Sequence, residues 1–149
     1  MVRTAAAALA AFLLAASPAA ARPAGWTVVP APGLKGQCLA RLKGPQVNLS
    51  LVRTEGGAMQ LSVGKRSWNL TAGANAEMTM AIDGAPPVTV NAVALGPVIM
   101  APLEESLSRR LRDARIVEFT VSPGRFRVEV AGLGRAWDDA AACRNVRGG

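Results

Sequence analysis

The chain predicts a mostly-β fold, a β-rich α+β domain built as an antiparallel sandwich or a barrel-like meander, with two short helices and one disulfide. Three observations predict it. From residue 38 to residue 131 apolar residues recur with a period of two, the repeat of a half-buried strand. Turn signals at Gly56-Gly57, Asp83-Gly84 and Pro123-Gly124 divide those runs. The only two cysteines, Cys38 and Cys143, lie near opposite ends of the chain that follows a leader. An even pair in an oxidising compartment reads as one structural bridge.

The leader is the first element. Residues 1–21 read as a cleaved signal peptide: Arg3 carries the charge, residues 5–16 are apolar, and Ser17-Pro18-Ala19-Ala20-Ala21 offers small residues for cleavage. The apolar run is too short for a membrane span, which needs about 20 residues. The longest later apolar stretch, residues 88–102, is interrupted by Asn91, Gly96 and Pro97. No span is expected, and the location is periplasmic or secreted. Cleavage leaves 128 of the 149 residues and lowers the formal charge from +7 to +6. Residues 22–143 are expected to form a single β-rich domain and residues 144–149 a flexible tail. The abundance of Ala, Gly and Arg, with no His and no Tyr, fits a GC-rich bacterial genome.

The strands follow in order. Val47, Leu49 and Leu51 alternate with polar residues, and Met59, Leu61 and Val63 resume after Gly56-Gly57. A turn at Gly64-Lys65-Arg66-Ser67 is expected to fold the next segment back, pairing Val63 with Trp68 and Leu61 with Leu70. Met78, Met80 and Ile82 form one apolar face, and Val88, Val90 and Ala92 return after the Asp83-Gly84-Ala85-Pro86 turn. A short strand at 98–101 follows. Residues 102–114 have helical spacing: Leu103, Leu107, Leu111 and Ala114 share one face, with Pro102 suited to the first helical position. Glu105–Arg109 and Arg109–Asp113 are i, i+4 pairs.

The last hairpin alternates Val117, Phe119 and Val121, then Phe126, Val128 and Val130. A turn centred on Pro123-Gly124 pairs Val121 with Phe126, Phe119 with Val128 and Glu118 with Glu129. A short helix at about 135–143 places Ala136, Ala140 and Cys143 inward.

For function the composition mostly excludes. Without histidine there is no Ser-His-Asp or Cys-His catalysis and no histidine-ligated metal. No phosphate-cradling loop or dinucleotide fingerprint occurs, and no cofactor is expected. Export and the lack of interleaved aromatic and basic residues argue against nucleic acid. Glu118 and Glu129, expected opposite one another, resemble a carboxylate pair for glycoside hydrolysis, or else a solvated sheet face beside Arg127. Lys65 and Arg66 are the sharpest positive feature, either a contact for an anionic partner or a solvated turn. Trp26, Trp68 and Trp137 read as core before they read as a ligand pocket. Asn48-Leu49-Ser50 and Asn69-Leu70-Thr71 match a glycosylation sequon, with both asparagines facing outward.

The layout also carries a resemblance. Trp26 and Cys38 come early, and a meander reaches Ile82-Asp83-Gly84. Leu103, Leu107 and Leu111 then precede a hairpin with Gly124 and Phe126, followed by Val130-Ala131-Gly132-Leu133-Gly134-Arg135-Ala136. Over residues 26–143 this is similar to the invasion-associated locus B family of exported bacterial proteins. Members carry additional cysteines in the middle of the domain, which this chain lacks. The resemblance implies an exported, non-enzymatic domain linked to host-cell interaction, and it identifies no functional residues.

The resulting expectation is a non-enzymatic binding or envelope-accessory domain whose partner is an envelope or other extracytoplasmic macromolecule, an anionic one fitting the charge. Lys65 and Arg66 are the candidate contact. Two alternatives stand beside it, a carboxylate-based hydrolase of a cell-wall or other sugar polymer, and a carrier with a small-molecule or lipid pocket between sheet and helix.

Overall fold

The computed structural model describes residues 25–147; the expected leader at 1–21 lies outside them. The strands are β1 (Trp26–Pro30), β2 (Cys38–Lys43), β3 (Asn48–Arg53), β4 (Met59–Gly64), β5 (Asn75–Ile82), β6 (Val88–Ala94), β7 (Val98–Pro102), β8 (Ile116–Val121) and β9 (Gly124–Glu129). Helix α1 (Glu105–Arg112) joins β7 to β8, and α2 (Leu133–Arg147) follows β9. All strand pairs are antiparallel, in one nine-stranded sheet of order β1-β2-β3-β4-β7-β6-β5-β8-β9 that curls into a half-barrel. The barrel-like alternative is therefore the one realised. The curl brings the two edge regions together: the Trp26 Nε1–H donates to the Val130 carbonyl oxygen at 3.2 Å.

Alternation sets the inner face. Ala40, Leu42, Leu49, Leu51, Leu61, Val63, Met78, Met80, Ile99, Val117, Phe119 and Val128 join one buried cluster. Helix α1 closes it with Leu107 and Leu111, flanked by Leu103 and Ala114, the four residues that the helical spacing placed on one face. Burying each leucine contributes roughly 1.5–3 kcal/mol. Helix α2 packs on β1, β2 and β3 through Leu133, Ala136, Trp137 and Ala140. It passes α1 closely at Gly134, where a Cβ would lie 2.9 Å from the Arg112 carbonyl oxygen. Arg112 Nη2 then binds both Asp138 oxygens, at 3.0 and 2.9 Å, and ties the helices together. The disulfide joins Cys38, at the start of β2, to Cys143 in α2 with Cα atoms 6.0 Å apart.

Four local expectations need correction. First, residues 66–74 form no strand, so Val63 and Leu61 do not face Trp68 and Leu70. They pair instead with Ile99 and Ala101 of β7. The segment crosses the end of the β6–β7 hairpin on its way to β5, its backbone bonded at Leu70 N to Gly96 O and at Gly73 N to Ala94 O. Second, Phe119 pairs with Phe126 and Val117 with Val128, because the hairpin turns in two residues, Ser122 and Pro123, rather than four. A slip of two keeps every residue on its face and changes every partner. Third, Pro102 ends β7 and pairs with Gln60; the helix starts at Glu105. Arg109 pairs with Glu105 at 3.2 Å, and Asp113 is no ion-pair partner of Arg109 among the described residues. Fourth, α2 spans Leu133–Arg147, beyond both ends of the expected 135–143.

Candidate binding surface

Antiparallel order gathers at one end of the sheet the loops 44–47, 65–74, 95–97 and 122–123. Lys65 and Arg66 lie there. They open the crossing loop, not a two-strand hairpin, in a turn closed by Trp68 N donating to Lys65 O at 3.1 Å. Trp68 itself is buried, with its ring centroid 5.7 Å from that of Phe126, so it anchors the turn in the core. Gly64 fixes the other side: a Cβ there would strike the Pro97 carbonyl oxygen and come within 2.8 Å of Val98 Cα. That approach lets Lys65 N bond Pro97 O at 3.1 Å and holds loops 65–74 and 95–97 side by side.

The register adds a third cation. Lys43 pairs with Asn48, Asn48 with Gly64, and Gly64 with Val98, one row on the outer face. Lys43 and Arg66 are exposed and Lys65 is half-buried. None of the three has an ion-pair partner among the described residues. Segments 43–48, 64–74 and 94–98 contain no Asp or Glu. Leu95, in the 95–97 loop, and Val93, near the end of β6, are each 40% exposed.

The other candidate residues separate. Glu118 faces Arg127 across the strands and Glu129 faces Ile116, so the expected Glu118–Glu129 pair is not formed. Glu118 Oε1 instead lies 3.9 Å from Arg125 Nε. No group of three or more metal-ligating side chains occurs among the described residues. Trp68 and Trp137 are buried and Trp26 is half-buried against the core, so the three tryptophans belong to the core. Trp137 also carries the Arg53 guanidinium 4.9 Å from its ring centroid, a contact that spacing could not announce. Asn48 and Asn69 are both exposed.

Asp83 has an unexpected structural role. It sits at φ 49°, with Gly84 at φ 75° beside it, and Oδ1 accepts the backbone N–H groups of Arg115 and Ile116 at 3.0 and 2.9 Å. The β5–β6 turn thereby pins the start of β8.

Two hollows bear on ligand binding. One of about 840 Å³ lies on the outer face of β5, β6 and β8 and is lined by Asn75, Glu77, Thr79, Asn91 and Thr120. Another of about 470 Å³ lies where β7 leaves β6 for α1. Val88, Val90, Leu103 and Leu107 line it, with Glu104 also present.

The fold is similar to that of invasion associated protein B from Bartonella henselae. The superposition has a TM-score of 0.57 and covers 80% of this chain and 94% of that one. Identity is 13%, so the likeness concerns the fold alone. It supports, at that level, the resemblance drawn from the layout. No protein-family model matches the chain, and no curated protein matches it.

Proposed function

We propose that the chain is an exported, non-enzymatic binding domain, and that it contacts an anionic macromolecule of the envelope or of a host cell through the Lys65–Arg66 end of the sheet. The observation that carries this reading is the cluster of Lys65 and Arg66 on a hydrogen-bonded turn and Lys43 at the end of β2, with no acidic residue in segments 43–48, 64–74 and 94–98. Unpaired cations on a hydrogen-bonded backbone attract polyanions with no backbone to order on binding. The disulfide fits an oxidising, extracytoplasmic compartment. The name of the structural neighbour, invasion associated protein B, fits a host-interaction role. Glu118 lies opposite Arg127 and 3.9 Å from Arg125, which favours a solvated, charge-paired sheet face over a carboxylate dyad. Crosslinking in the native envelope, followed by mass spectrometry, tests the proposal with wild type beside Lys65→Glu/Arg66→Glu. A defined partner absent from the variant supports it; a partner retained in full moves the site elsewhere, and turnover of wall polymers replaces the reading with the hydrolase.

The carrier reading keeps one specific support, the apolar hollow between β6 and α1, whose volume of about 470 Å³ suits a small ligand. Mass spectrometry of the protein purified from its own cell tests it, and an empty groove rejects it.

A further inference from the structure

We infer that the partner of the basic end is the anionic headgroup surface of a lipid bilayer; this rests on the binding reading above and names its ligand. Charge complementarity comes first. Lys43 and the Gly64–Lys65 corner are separated by two strand spacings, about 10 Å. The cations thus gather at one end of the sheet and can meet several lipid phosphates at once, with no carboxylate in segments 43–48, 64–74 and 94–98; the next one is Glu77 of β5, opposite Asn91.

The apolar neighbours decide between a bilayer and an acidic protein. Leu95 and Val93 are two of the three large hydrophobic side chains most exposed among the described residues, and Leu95 sits in the 95–97 loop whose Pro97 carbonyl oxygen accepts from Lys65 N. Loops 65–74 and 95–97 are bonded to one another at Lys65–Pro97 and Leu70–Gly96, so Lys65, Arg66 and Leu95 share one rim, with Val93 two residues earlier in β6. A bilayer interface rewards that combination, because phosphates take the ammonium and guanidinium groups while aliphatic side chains enter the acyl boundary. A flat acidic protein surface would satisfy only the cations.

Each basic residue close to an anionic bilayer strengthens binding about fivefold, so three give about a hundredfold preference over a neutral bilayer. The contact is peripheral and weakens as salt rises. No described helix is long and apolar enough to cross a membrane.

The test uses the protein as its cell exports it. Vesicles of phosphatidylglycerol mixed with phosphatidylcholine, vesicles of phosphatidylcholine alone, and immobilised heparin as a non-lipid polyanion are each offered to wild type, Lys65→Glu/Arg66→Glu and Leu95→Asn. Circular dichroism confirms that these surface variants fold. The inference expects sedimentation with phosphatidylglycerol vesicles only, a loss of about 25-fold or more in the charge-reversed variant, and a loss of about three- to tenfold in Leu95→Asn with heparin retention unchanged. Retention on heparin through Lys65 and Arg66 without vesicle binding overturns the lipid assignment and leaves the binding reading standing. Equal vesicle binding by Leu95→Asn together with retention of wild type on heparin overturns the bilayer assignment, because the surface then takes any polyanion by charge alone. Failure of wild type on both vesicles and heparin, or indifference of both to charge reversal, overturns both.

Discussion

Replacing Cys38 and Cys143 by serine removes the bridge between the start of β2 and α2. The two residues are 105 apart in sequence, so the bridge closes nearly the whole domain into one loop. Chain-entropy reasoning assigns such a loop about 4–5 kcal/mol, with residual structure in the unfolded chain lowering the figure. Helix α2 has native contacts besides the bond: Leu133, Ala136, Trp137 and Ala140 are buried, and Arg112 binds Asp138. The variant should therefore fold, with stability reduced by about 2–5 kcal/mol out of a typical 5–15. For a domain of this size that lowers Tm by about 10–20 °C. Urea unfolding of the oxidised protein, the reduced protein and the double-serine variant measures it, and the last two should agree. An unchanged midpoint after reduction would refute the reasoning. So would amide exchange showing that only α2 is lost, because then the bridge holds a helix and not the chain.

Three further predictions follow from particular contacts. Asp83→Ala should lose about 1–2 kcal/mol, since it deletes the side-chain acceptor of two backbone N–H groups and places alanine at φ 49°; a thermal melt checks it, and a shift within about 0.3 kcal/mol contradicts the pinning role. Gly134→Ala should destabilise, although helix propensity alone favours alanine by up to about 1 kcal/mol, because the new methyl meets the Arg112 carbonyl oxygen; a raised unfolding midpoint would show that α1 and α2 can separate freely. Glu118→Gln with Glu129→Gln should change stability by no more than about 0.5 kcal/mol, given an exposed ion pair at 3.9 Å, and should leave partner capture intact; loss of capture would place the contact on β8–β9.

What the sequence carried plainly was the face of each residue. Period-two runs put Met78, Met80, Phe119 and Val128 inside, and helical spacing did the same for Leu107 and Leu111. Both signals are local, and burial follows from them directly. Partner choice is not local. Trp68 reads as an inward strand residue and is buried, yet it is held by a crossing loop, because β7 returns from thirty-odd residues further on to occupy the place beside β4. The β8–β9 register escaped for a different reason: slips of two preserve the apolar pattern, so only the turn length decides between them. The basic end was half legible. Lys65 and Arg66 stand out as adjacent cations, whereas Lys43, Leu95 and Val93 join them only through the pairings β2–β3–β4–β7–β6.

The central claim is that the Lys65–Arg66 end of the sheet is the contact surface. A photo-reactive amino acid placed at exposed Ser67, beside the cations, and separately at exposed Glu55, at the opposite end, tests it most directly in intact cells. The account predicts a defined adduct, lipid or macromolecule, from Ser67 and none from Glu55, with the Ser67 adduct abolished by Lys65→Glu/Arg66→Glu. An adduct from Glu55 alone, or one from Ser67 that survives charge reversal, would contradict it.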